Sequence, residues 1–278
     1  MQVIALSLTH LGLGTLALLA LAGVREVGRG FFTLCGWSGV ALAAAGYALT
    51  RVPTGQITDI SQAAAGAPQA WVLASLSALS FAFGWVFLRA RRRGAAGPLI
   101  RLSGLLAVAA LAAQGWFFAA SVRPGASAGL CALSAADFVL SAGVLGGVTV
   151  AMVLGHWYLV QPGLAIEPLA RLSGAFIVLL VARIALEAWA VTGAVGSGWL
   201  SLTPPPGEVL PFPVLVLSQR ALFGVLGPII LAPLVWKTVS MRSTMSATGL
   251  LYVAVALVWV GEFLSKYLLL PLRGMGAA

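Results

Sequence analysis

Charge is what this sequence most conspicuously lacks. Only 8% of its 278 residues are Asp, Glu, Lys or Arg, against roughly 25% in a soluble domain. Sixty per cent are hydrophobic. A chain this apolar cannot clothe its surface in polar groups, so its solvent is a lipid bilayer. No stretch is left over for a separate water-soluble catalytic domain. Acids are scarcer still, at 7 against 16 Lys and Arg, for a net charge of +9. That excess does not read as a nucleic-acid surface. The basic residues stand mainly in short links between apolar runs, where they act as topology signals.

Cysteine and histidine are nearly missing too. Cys35 and Cys131 make no disulfide framework, and the topology below places them near opposite membrane faces. There is no CxxC, no CxxCH haem-attachment motif and no close His or Cys pair, so no resident metal site is expected. Short alternating runs bounded by turns do not recur, which argues against a β-barrel.

What remains is apolar helix. A spanning helix needs about 20 apolar residues. Eight segments qualify, at roughly 2–24, 31–50, 70–88, 102–121, 136–160, 172–195, 213–236 and 247–270. The expected fold is therefore all-α and polytopic, a single integral membrane domain. A four-plus-four division near residues 122–135 would make two four-helix bundles, although the halves show no repeat. The first run, Val3 to Gly23, imitates a signal peptide at Ala20-Leu21-Ala22. No basic residue precedes it and it is long enough to span, so it reads as a retained helix. Gly is abundant, at 33 residues. Gly12 and Gly14 in span 1, and Gly143, Gly146 and Gly147 in span 5, read as surfaces for close helix approach.

The links after spans 1, 3, 5 and 7 hold Arg25, Arg29, Arg89, Arg91, Arg92, Arg93, Arg101, Arg171, Lys237 and Arg242. Those after spans 2, 4 and 6 hold only Arg51 and Arg123. The positive-inside rule puts the first group in the cytoplasm and both termini outside, in the cell inner (plasma) membrane. The longer outer links, with Thr54-Gly55-Gln56, Asp59 and Pro204-Pro205-Pro206, could cover a site or dock a partner.

Ionisable side chains within lipid are functional candidates by default. At a rise of about 1.5 Å per residue, His10, Arg183, Glu187, Arg220, Glu262 and Lys266, from four helices, converge on the outer half of the bilayer. Arg183 and Glu187 are i,i+4, as are Glu262 and Lys266, so each pair shares a helix face. Arg220 has no acid on its own helix and needs Glu187 or Glu262 across an interface, or a ligand carbonyl or anion. Ser218 and Gln219 are possible hydrogen-bond contributors. The bland alternative is a set of ion pairs that only fix packing. His156, in Gly155-His156-Trp157-Tyr158, falls at the cytoplasmic end of span 5, with Pro162-Gly163 beyond it. His10 and His156 differ in depth by roughly 15 Å, which disfavours a haem ligated by both. A haem held by one histidine is left open. Gly224, Gly227, Pro228 and Pro233 interrupt span 7, as in the discontinuous helices of transporters.

The last span reads Gly249-Leu250-Leu251-Tyr252, then Gly261-Glu262-Phe263-Leu264-Ser265-Lys266-Tyr267-Leu268. It resembles the closing helix of the membrane anchor subunits of dimethyl sulfoxide reductase and polysulfide reductase, where a Gly-Glu pair precedes a basic residue and an aromatic. Those anchors usually carry arginine where Lys266 stands. The resemblance covers this span alone. It implies a haem-free subunit that binds quinol and passes electrons to an extrinsic iron–sulfur or cytochrome partner. On it, Glu262, Lys266 and Tyr267 carry over as motif positions.

The leading expectation is thus a quinone-interacting subunit of a respiratory or related complex. His10, Arg220 and Glu262 would handle the headgroup and protons, with Arg183, Glu187, Lys266 and Tyr267 in support. The alternatives are a proton-coupled transporter or permease using the same constellation, and a structural subunit of a larger complex.

Overall fold

In a computed structural model the described residues are 2–50, 68–122, 125–161, 163–196 and 212–268. The outer-link features at Thr54-Gly55-Gln56, Asp59 and Pro204–Pro206 lie outside them, as do Arg51, Arg123 and Pro162. Every regular element among the described residues is helical. The elements are α1 (Gln2–Leu19), α2 (Arg29–Thr50), α3 (Pro68–Arg89), α4 (Arg93–Val122), α5 (Ala128–Val160) and α6 (Glu167–Gly196). They continue with α7 (Phe212–Arg220), a π-helical segment (Ala221–Leu226), α8 (Gly227–Ser240) and α9 (Thr244–Leu268). α7, the π segment and α8 run on as one span.

Seven of these spans are long and apolar enough to cross a bilayer, so the chain is a multi-pass membrane protein. α1 is the exception. Expected to run to residue 24, it stops at Leu19 and gives way to tight turns, Leu21 N–H to Leu18 C=O and Ala22 N–H to Leu19 C=O. It packs on α2, α4, α5 and α9 and is buried along most of its length. A helix walled in by protein need not match the thickness of the hydrocarbon.

Two hairpins turn sharply. After α3, Arg92 N–H reaches Phe87 C=O and Arg91 N–H reaches Leu88 C=O, with Arg91 at φ +60°. After α8, Ser243 N–H reaches Thr238 C=O and Arg242 N–H reaches Val239 C=O, with Arg242 at φ +56°. Both are Schellman turns with arginine where glycine is usual. The misfit costs little where a cation also meets the negative end of the helix dipole.

α5 is the axis of the bundle. It packs against α1 and α4 on one side and α6 and α9 on the other, and 72% of its spanning stretch is buried, against 39% or less in the other six. The two expected four-helix sets therefore share one central helix and one continuous core. Missing side chains make this approach possible. A Cβ on Gly14 would lie 2.0 Å from the Ala142 carbonyl oxygen, and one on Gly146 would lie 2.1 Å from the Gly14 carbonyl carbon. Gly12 meets Gly39 and Ala43 of α2 in the same way. Lipid tails are as apolar as Leu, so helices associate through this close packing rather than through the hydrophobic effect.

Consequently Gly146→Val should abolish the folded protein, because the obstructing atoms are backbone. Gly249→Ala, with nothing within 4 Å of its Cβ, should be neutral or gain up to about 1 kcal/mol of helix propensity. Thermal melts of the two variants in detergent check both outcomes.

Candidate functional site

The polar residues of α1, α5, α6, α7 and α9 meet in one network buried beside α5. Arg183 of α6 is its hub. Its guanidinium pairs with Asp137 of α5, with Glu187 one turn along (Nε–Oε1 2.8 Å) and with Glu262 of α9 (Nε–Oε1 3.4 Å), and donates to Ser265 Oγ at 3.2 Å. Arg220 of α7 pairs with Glu187. Lys266 Nζ lies 3.2 Å from Glu262 Oε2 and donates to Ser141 Oγ at 3.0 Å. Ser141 in turn donates to Glu262 Oε2. His10 Nδ1 stands 3.1 Å from Ser141 Oγ, and its ring meets Phe138 edge-on with centroids 4.8 Å apart.

Among the described residues the ion-pair members number three acids (Asp137, Glu187, Glu262) and three bases (Arg183, Arg220, Lys266), so their formal charges cancel. This balance is what makes burial tolerable. A lone charge at the centre of a membrane helix costs roughly 2.5–3.5 kcal/mol on insertion scales. Exposure is graded along the network. Side-chain exposure is 31% at Asp137 and 20% at Glu187, but 6% at Glu262 and 2% at Lys266. His10, at 3%, is a buried terminus of the network.

Hydrogen-bond accounting assigns the His10 tautomer. Ser141 has one hydroxyl proton, and it goes to the Glu262 carboxylate. Lysine only donates. His10 must therefore donate Nδ1–H to Ser141, which leaves Nε2 as a bare acceptor. Nε2 is buried and has no partner among the described residues. Chemically, Glu262, Ser141 and His10 form a short chain of exchangeable protons that ends at a basic nitrogen inside the protein, while Arg183, which does not give up a proton, ties it to the part-exposed Asp137 and Glu187 by charge alone.

Of the sequence-derived candidates, the structure brings together His10, Arg183, Glu187, Arg220, Glu262 and Lys266. Arg220 finds its acid across an interface, in Glu187. Tyr267 is 38% exposed on α9 rather than buried with Glu262 and Lys266. Ser218 and Gln219 are exposed, and the Ser218 hydroxyl bonds its own helix at Leu215 C=O. The helix turns them away, because Arg220 takes the inward position. His156 is also exposed. It lies at the far end of α5, about 22 Å along the axis from Ser141 by helical rise, with Tyr252 Oη 3.3 Å from its Nδ1.

Three members went unnoticed in the sequence: Asp137, Ser141 and Ser265. The apolar run of span 5 starts at residue 136, which sets Asp137 at its edge. α5 begins at Ala128, where Ser127 caps it by accepting the Leu130 N–H, and that places Asp137 well inside. One signal was there to find. Asp137 is one of only 7 acids in the chain, and it stands i,i+4 from Ser141.

Comparison with protein-family models returned no match, and comparison with curated proteins returned none either.

Removing the hub should leave three carboxylates facing two cations. Arg183→Met should cost on the order of 3–5 kcal/mol, because breaking a buried pair strands charge. The exposed pair of Arg171 and Glu26, with side chains 45% and 41% exposed, is the internal comparison. Arg171→Ala should cost under about 1 kcal/mol. Denaturation of the purified variants measures both.

Proposed function

We propose that the chain is a quinone-interacting membrane subunit of an electron-transfer complex. It would lie in the inner (plasma) membrane with both termini outside, and the buried network would handle the protons. One observation carries this reading: the network ends on a buried, proton-accepting His10 Nε2 that has no partner among the described residues. A quinol presents a hydroxyl of the right kind to such a nitrogen. Its apolar tail suits a membrane protein, and an open apolar depression lined by Trp259, Val260, Phe263 and Leu264 lies on the outer face of α9, the helix that carries Glu262 on its buried face. Sites for such ligands pair apolar walls with a few placed polar groups.

Oxidising one quinol releases two electrons and two protons; the reverse takes up both. In the oxidative direction the hydroxyl proton passes to His10 Nε2. His10 then relays charge through Nδ1–H and Ser141 to Glu262. Beyond Glu262 lie the Arg183 ion pairs and the part-exposed Asp137 and Glu187. The electrons need an acceptor. No group of three or more His, Cys, Asp or Glu with metal-binding geometry occurs among the described residues. An extrinsic iron–sulfur or cytochrome subunit is therefore part of the proposal. A haem ligated by both histidines is not, since His10 and His156 lie at depths roughly 15 Å apart by helical rise.

A second reading, a proton-coupled transporter, is favoured by the π-helical interruption of the span that carries Arg220. The two separate by assay. A quinone-reactive subunit co-purifies with bound quinone and a metal-bearing chain, and headgroup-mimicking inhibitors block it. A transporter moves substrate alone in liposomes. Under the quinone reading, Glu262→Gln is less stable because it strands a cation, but the protein that still assembles turns over about a hundredfold more slowly, in line with loss of a proton-transfer group. Loss of the assembled protein would point instead to a packing role, and unchanged turnover would remove Glu262 from the chemistry.

A further inference from the structure

The π segment raises a question of phase. The buried stripe of α8 is Pro228, Ala232, Val235 and Val239. At about 100° per residue, eight residues of unbroken α-helix would turn Arg220 roughly 80° off that stripe. Ala221, seven residues before Pro228, would fall within about 20° of it. The observed arrangement is the reverse. Arg220 is 6% exposed and Val216 is 7%, while Ala221 is exposed.

The ladder between them explains this. Gly227 N–H bonds Leu222 C=O, five residues back, and the π-helical stretch covers Ala221–Leu226. Each such ring encloses one residue more than an α turn, so the helix loses about one residue of rotation, close to the 80° required. The local sequence favours the widened ladder. Pro228 has no N–H to give the Gly224 carbonyl, and its ring would crowd that carbonyl in a regular α-helix. Gly224 also faces Gly261 of α9. A Cβ on Gly261 would lie 2.2 Å from the Gly224 Cα, so neither position accepts a side chain while the helices stay this close.

We propose that the π segment is a positioning device for Arg220. It adds one residue to the span, turns the guanidinium from the lipid-facing side onto Glu187, and so supplies the third cation that neutralises the buried network. Gly224 and Pro228 are its positioning residues. The inference rests on the ion network and holds whether the network serves quinone, substrate or proton.

The test is a double-mutant cycle of Arg220→Gln and Glu187→Gln, read as the unfolding equilibrium of the purified full chain in detergent. The cycle is run in three backgrounds. In the native ladder the two residues should be coupled by roughly tenfold. Deleting Leu222, which is 52% exposed, removes the extra residue and converts the segment to α-helix. Arg220 then stands seven residues before the proline, still inward, and the coupling should survive. Inserting one alanine between Leu226 and Gly227 rotates Arg220 away, and the coupling should vanish. A deletion variant that loses the coupling or fails to fold overturns the proposal, as does an insertion variant that keeps the coupling. Failure of the quinone reading would leave these results unchanged, because no arm measures turnover.

Discussion

Charge neutrality inside a low-dielectric interior is the constraint on which the rest of this structure depends. Three carboxylates and three cations are held below the surface by four helices, and none has a full complement of partners on its own helix. Arg183 alone answers to Asp137, Glu187 and Glu262. Removing one member of such a set strands a charge rather than merely subtracting a contact. The helices that carry the network, α5, α6, α7 and α9, are thereby fixed in both rotation and depth.

Glycine makes the constraint satisfiable. Ionic side chains can meet only if their backbones come close, and in lipid that closeness has to come from packing. Gly14 against Gly146 brings α1 onto α5, which carries His10 to Ser141. Gly224 against Gly261 brings the Arg220 span onto α9, where Glu262 resides. The polar chemistry and the small-residue seams are two aspects of one arrangement. At its centre is Ser141, an unremarkable residue type, which joins His10, Glu262 and Lys266 through a single oxygen.

Much of the candidate site could be read from the chain because membrane sequences make ionisable residues conspicuous. Against an apolar background, Arg183 with Glu187 and Glu262 with Lys266 stand out, and i,i+4 spacing alone implies that each pair shares a face. Helical rise places them at similar depth. Asp137 escaped because its helix begins at Ala128, eight residues before the start of the apolar run at 136. Ser141 and Ser265 escaped because a serine in a membrane helix usually bonds its own backbone and carries no signal of a distant partner. Ser218 and Gln219 were credible neighbours of Arg220 by sequence, yet the helix turns them outward.

By itself the sequence determined an all-α, multi-pass architecture, the order and approximate centres of its spans, and the two same-helix ion pairs. These follow from local quantities: the length of an apolar run and the rise and rotation of one helix. Only the tertiary structure decided that α5 is central, that α1 is enclosed and short, that Arg220 answers Glu187, and that His10 keeps a free nitrogen. The physical reason lies in the solvent. A helix in lipid is apolar on every side, so its sequence bears no stripe to reveal which way it faces. Rotation is then set by backbone contacts between glycines and, in the seventh span, by one residue of π-helix.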